Sequence, residues 1–182
     1  MAKSKALEGK DVMLFIDGKT IALATTCSLN VTRESSNASS KDDGVWNTDV
    51  PGDMSWSANG DSLFAPKEGL DEAQIAYDEL FKAMVESKDV AVVFGAVTNP
   101  GAGGFPEGGW IAPSTTGYAG KAHVTSLDWT GAKGSSATMS VSLKGNGALA
   151  PQAAAKALKA QTAQANDGET PSDTQSEEEA QA

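Results

Sequence analysis

Apolar and polar positions alternate along the first third of the chain. Val12, Leu14 and Ile16 alternate with Met13 and Phe15, so this first strand is apolar on both faces. Asp17-Gly18 follows. An Asp-Gly pair between apolar runs predicts a type I′ hairpin turn, because both central residues must take φ > 0. The returning strand alternates cleanly. Ile21, Leu23, Thr25, Cys27, Leu29 and Val31 share one face, and Ala22, Ala24, Thr26, Ser28, Asn30 and Thr32 share the other. The first strand therefore reads as sandwiched. The second has one core face and one face of small, mostly polar groups.

Residues 34–53 are rich in Ser, Asn, Asp and Gly and include Pro51. They read as a long irregular loop, and loops beyond about 12–15 residues in compact domains are usually functional or disordered. Val45, Trp46 and Val50 are its apolar anchors, which predicts docking. Met54, Trp56 and Ala58 then alternate with Ser55, Ser57 and Asn59 as another strand. A helix is predicted over 71–87. Asp71 is its N-cap, Gln74 completes a capping box, and Leu70 with Ile75 forms the staple. Tyr77, Leu80, Phe81 and Met84 recur at helical spacing opposite Glu72, Asp78, Lys82 and Glu86, so one face packs. Residues 90–97 are a continuous apolar run and read as a buried strand. Residues 99–116 are a Gly/Pro loop holding Phe105, Trp110 and Ile111. In the strand at 118–129 the apolar phase changes from Ala122 and Val124 to Leu127 and Trp129, which predicts a bulge near Thr125-Ser126. Ala137, Met139, Val141 and Leu143 alternate in a last strand.

The 182 residues, 40% hydrophobic and 21% charged, suffice for one domain with a tail. The organisation expected is a flexible N-terminus at 1–10, a β domain at 11–149 and a disordered tail at 150–182. That tail is acidic and Ala/Gln-rich, and its last part lacks the large apolar side chains needed to offset ordering entropy. The net charge is −10, and Lys3, Lys5 and Lys10 are the densest basic group. This argues against specific nucleic-acid binding and against docking on anionic lipid. The N-terminus lacks an apolar signal core and no run approaches the roughly 20 apolar residues of a membrane span. A soluble chain made in a cytosol is expected.

Catalytic constellations do not emerge. His123, the single histidine, has no evident orienting partner and reads as a surface or interface residue. Cys27 stands alone on the apolar phase of its strand, so no intrachain disulfide can form and a structural thiol is expected. One His and one Cys show no metal-ligand spacing. Gly18-Lys19-Thr20 ends like a phosphate loop, but Met13 stands where the first Gly belongs and a hairpin turn precedes the Lys. Gly101, Gly103 and Gly104 lack a strand-loop-helix context. No catalytic, cofactor-binding or metal residue is expected, and the chain reads as a non-enzyme.

Several segments in order resemble the major tail tube proteins of long-tailed phages, the TP901-1-like phage major tail protein family. They are GKDVMLFIDGKTIALATTCSLNVTRE, MSWSANGDSLF, LFKAMVESKDVAVVFG and GYAGKAHVTSLDWTGAKGSSATMSVSLKGNGAL, spanning roughly residues 9–149. The resemblance implies a mainly β (α+β) fold, a β-sandwich or barrel of the tail-tube type with one flanking α-helix and long assembly loops. It implies six-membered rings stacked into a tube through which the genome passes, with strands of all subunits joined into one inner barrel. The implied partners are other copies of itself, then tape measure, tail terminator and tail tip proteins. Double-stranded DNA would pass without specific binding, and no membrane is involved. The implied location is the virion tail, after synthesis in the host bacterial cytoplasm. On this reading Ala22, Ala24, Thr26, Ser28, Asn30 and Thr32 face the lumen. Ser35, Ser36, Val45, Trp46, Val50 and Pro51 form an inter-subunit arm, and Phe105, Trp110 and Ile111 form a second interface loop. The alternatives are a tube protein of a contractile tail or injection system, and an Ig-like decoration or adhesion domain.

Overall fold

The computed structural model describes residues 7–41, 43, 45–99, 105–106, 108–114 and 116–152. The strands are β1 (Val12–Ile16), β2 (Lys19–Ile21), β3 (Ala24–Asn37), β4 (Asp49–Leu63), β5 (Gln74–Ile75), β6 (Val90–Ala96), β7 (Tyr118–Thr130) and β8 (Thr138–Pro151). The α-helix α1 spans Tyr77–Val85. The strands form one sheet in the order β3-β4-β8-β7-β6-β1-β2-β5, antiparallel except for the β2–β5 pair. β1 also packs against β3, so the sheet folds over on itself. Between its halves lies a core that includes Leu14, Ile16, Ile21, Trp56, Leu80, Val92, Val141 and Leu143.

The first turn follows its sequence. Asp17 and Gly18 take φ of 50° and 83°, both positive as type I′ geometry demands. The Asp17 carboxylate also accepts the Ala91 N–H at 2.8 Å, which ties the turn to β6. The returning run is not one strand, however. It breaks at Ala22-Leu23, where Leu23 takes a φ of 50°. β2 stays beside β1, whereas β3 leaves to pair with β4 at the far edge of the sheet. With only five residues in β1, a single long partner would outrun its ladder. The break shifts the alternation, and a second shift falls between Ala24 and Thr26.

β1 is sandwiched as its two apolar faces require. Leu14 and Ile16 enter the core, and Phe15 is fully buried on the other side. Burial of such a side chain contributes about 1.5–3 kcal/mol. Gly95, paired with Met13, lies on the same face as Phe15. Pro113, Thr116 and Gly117 lie over it. A Cβ on Gly95 would stand 2.8 Å from the Gly117 backbone and 3.0 Å from Pro113, so glycine permits the close approach. The stretch at 109–111 is pinned by Asn99, which accepts the Ile111 N–H at 2.7 Å and donates to the Gly109 carbonyl at 3.0 Å.

The helix starts later than the capping box predicts. The Gln74 N–H donates to the Asp71 carbonyl in a turn, and Gln74-Ile75 are drawn into the sheet as β5. The helix then starts after Ala76, with no side-chain cap. Sheet pairing outweighs a cap worth about 1 kcal/mol. Leu80 is fully buried, and Lys19 of β2 reaches Glu79 at 2.9 and 3.2 Å. The register of β7 shifts between Val124 and Ser126, the bulge that the apolar phase predicts. β8 runs past residue 149 to Pro151, and the Gln152 N–H donates to the Gly117 carbonyl at 2.9 Å. The domain therefore includes 150–152, which the expected tail had claimed. The rest of that tail, 153–182, lies outside the described residues, as do 1–6. Residues 9–11 of the N-terminal region form a 3-10 turn.

Candidate assembly surfaces

β3, β4, β8 and β7 are neighbours, so their alternation builds two contrasting faces. The inner face carries Cys27, Leu29, Ala58, Val141, Leu143, Val124 and Leu127 toward the core. On the outer face the register aligns polar residues in rows across all four strands. One row is Thr26, Asp61, Ser140 and Asp128, and the next is Ser28, Asn59, Ser142 and Ser126. A third is Asn30, Ser57, Lys144 and His123, and Thr32 with Ser55 begins a fourth. Short hydroxyl and carboxylate groups bind each other across the strands. The Ser140 hydroxyl donates to Asp61 at 2.8 Å, and Thr32 and Ser55 share a bond of 2.8 Å. Two carboxylates, one Lys and one His are the titratable groups of these rows.

The residues assigned to this face from sequence divide. Thr26, Ser28, Asn30 and Thr32 lie on it and are exposed. Ala22 does not. It sits in the break before β3 and is buried. Ala24 packs against the core beside Cys27 and Leu29, because the irregularity after it inverts the phase. The contributions of β4 and β8 were visible as polar phases at 55–59 and 140–144, but their alignment with β3 depends on long-range register.

The segment expected to be an irregular loop is ribbon at both of its ends. β3 and β4 remain paired out to Asn37 and Asp49, while β4 pairs with β8 only over Ser57–Leu63. Residues 31–37 and 49–56 thus form a two-stranded arm that rises about 3.3 Å per residue, roughly 25 Å beyond the sheet. Beyond Trp56 neither face of the ribbon meets a core, so the apolar phase of 54–58 does not continue along it. Ser35 pairs with Pro51 and Ser36 with Val50. Pro51, which has no N–H to donate, is tolerated because this part of β4 has an open edge. At the tip the Thr48 N–H donates to Ser39 Oγ at 2.8 Å and the Ser39 N–H to Asn37 Oδ1 at 2.9 Å. Val45 is 93% and Trp46 82% exposed, and Val50 and Met54 are also exposed. An isolated hairpin is marginal in water at best.

The arm is rooted by Trp56. Its indole is buried and its Nε1–H donates to the Gly147 carbonyl at 3.0 Å. A Cβ on Gly120 would come within 2.6 Å of the ring, and one on Gly145 would collide with it directly. The indole occupies a slot that these glycines leave open, where β4 parts from β8.

At the opposite end of β4 an aromatic ledge stands on the surface, unforeseen from sequence. Phe64 stacks on Trp129 with centroids 4.2 Å apart, and Tyr77 lies 6.2 Å from Phe64 and 5.9 Å from Trp129. Phe81 stacks on Tyr77 at 6.4 Å. Trp129, Phe81 and Val85 are more than half exposed. The stripe on α1 was legible, but Phe64 and Trp129 reach it only through the fold.

In the second expected interface loop the side chains separate. Trp110 is half-buried, edge-on to Phe105 at 6.3 Å, while Phe105 and Ile111 are exposed. Residues 100–104 of that loop lie outside the described residues. Desolvation pushes the Cys27 thiol above its ordinary range, against a lowering backbone hydrogen bond at Leu14 and with a smaller upward push from Asp61. That disfavours the thiolate a nucleophile needs. Among the described residues, no group of three His, Cys, Asp or Glu side chains could hold a metal ion.

A family model described as phage tail tube protein matches residues 6–151. None of the curated proteins matches the chain in sequence. Among solved structures, a chain from the virion of a native gene transfer agent particle is similar, with a TM-score of 0.61 at 18% identity. The match covers 80% of this chain and 98% of that one. A chain from the tail of an empty gene transfer agent particle with C6 symmetry gives 0.58 at 19%, with the same coverage. The SPP1 tail tube gives 0.55 at 11%, covering 80% of each chain. At these identities the likeness is one of fold.

Proposed function

The chain belongs to the phage tail tube protein family, and from that membership we propose how its surfaces divide the work of building a tube. Copies close into rings, six to a ring as in the C6-symmetric tail to which the chain is similar. Rings stack into the virion's tail tube, and the arm and the loop at 105–111 carry contacts between copies. The polar face of β3, β4, β8 and β7 lines the lumen. The domain at 11–152 is the tube subunit, and tape measure, terminator and tip proteins meet it at the tube's ends.

One observation carries this reading. A four-stranded sheet face has a full apolar core on one side and, on the other, rows of Thr, Ser, Asn and Asp with one Lys and one His. A sheet face of that kind is built to meet water. Its charges nearly balance, with Asp61 and Asp128 against Lys144. Without a basic cluster, nothing on this face displaces the counterions condensed on DNA, so the duplex slides without binding. The small side chains of the first two rows leave no protrusion to snag it.

The test is thiol access in a Cys27→Ala background. Cysteines at 26, 28, 30 and 32 are expected to react readily with a bulky maleimide in monomers and slowly in assembled tubes. Equal labelling in both states overturns the lumen assignment.

A further inference from the structure

We propose that the arm tip, Val45 and Trp46, seats on the aromatic ledge of Phe64, Tyr77, Phe81 and Trp129 of a second copy of this chain. The inference rests on the tube reading and names the receiving surface for the arm. The two features are complementary in chemistry. The tip offers a Trp and a Val, both more than four-fifths exposed. The ledge offers four rings that already fix each other's orientation by stacked and edge contacts, so little freedom remains to be surrendered on docking. An indole arriving there finds ring faces and edges at the separations that aromatic pairs favour.

The occupant must come from another molecule. Phe64 directly follows the base of β4 and Asp49 begins the same strand at the tip. Fifteen positions of extended chain separate them, about 50 Å. Trp46 lies beyond that, so its own ledge is out of reach. With the knob at one end of a strand and its seat at the other, the contact can repeat head-to-tail from copy to copy, as a ring or a stack of rings requires.

The test uses the full chain. Trp46→Ala removes an exposed ring, so the monomer is expected to melt as the wild type does while the concentration needed for polymerisation rises at least ten-fold. Trp46→Phe restores most of it. Phe81→Ala is expected to act like Trp46→Ala. In a Cys27→Ala background, tubes carrying Trp46→Cys and Phe81→Cys together give a covalent ladder with a short bis-maleimide, and neither single variant does. Trp46→Ala polymerising at the wild-type concentration, or tubes without the ladder, overturns the docking and leaves the tube reading intact. Wild-type chain that never forms tubes overturns both.

Discussion

Replacing Gly145 by alanine tests whether the root of the arm is built as described. Gly145 has no positive φ, unlike nearby Gly147 at 84°, so its backbone accepts an alanine. In a strand that exchange would ordinarily stabilise by about 0.5–1 kcal/mol. Here the new Cβ would collide with the Cε2, Nε1 and Cδ2 atoms of Trp56. The ring is rigid, is 5% exposed and is held by its bond to the Gly147 carbonyl, so it has nowhere to move within the core. Overpacking costs about 1–3 kcal/mol. Expulsion of the ring would approach the roughly 3–5 kcal/mol of a Trp→Ala change, with the Gly147 carbonyl left unpaired for about 1 kcal/mol more. The lesser route prevails, and a loss of about 1–3 kcal/mol is expected. At about 2–4 °C per kcal/mol for a domain of this size, melting should fall by roughly 2–12 °C. The decisive assay is a double-mutant cycle with Trp56→Ala, by urea unfolding of the monomer followed by circular dichroism. With the ring removed, Gly145→Ala should stabilise, giving an interaction energy of about 2–4 kcal/mol. A loss below about 0.5 kcal/mol for Gly145→Ala alone, or the same loss in both backgrounds, would refute the slot.

Two other outcomes follow from the surfaces. Asp61→Lys with Asp128→Lys places two new cations per subunit on the polar face and is expected to leave assembly intact. Tubes of that variant should retain DNA at low salt and release it steeply as salt rises, whereas wild-type tubes retain none at either; retention by the wild type would contradict the lining. Cys27 in the native monomer should alkylate at pH 8 at least ten-fold more slowly than in urea, because burial raises its pKa above the ordinary 9.0 and hides the sulfur. The sign of the linkage follows: the folded chain keeps a proton that the unfolded chain releases, so the thiol's contribution to stability holds below pH 9.0 and falls as pH rises through the folded value. Equal alkylation rates in the two states would show Cys27 to be open to solvent.

What the sequence by itself determined is local. Asp17-Gly18 specifies its turn because only a few residues tolerate two successive positive φ values. The alternation at 54–59 and 137–143 specifies strands with one apolar side, and the phase change after Val124 specifies a bulge. Family resemblance, carried by the order of such segments, points to the tube. Tertiary structure decided the rest, because the rest depends on pairing between distant residues. The run after the first turn alternates without interruption, yet it breaks at Ala22-Leu23 because its two halves have different partners. Gln74 looks like a capping residue and becomes a strand, since β2 offers it a ladder. Beyond Trp56 the arm continues no apolar phase because neither of its faces meets a core there, so its order comes from the ladder and a few cross-strand side-chain bonds. The polar face exists only once register aligns Thr26 with Asp61, Ser140 and Asp128. The ledge exists only where the ends of β4 and β7 meet α1. Short-range conformational preference can be read from neighbours in the chain; surfaces made by register and packing cannot.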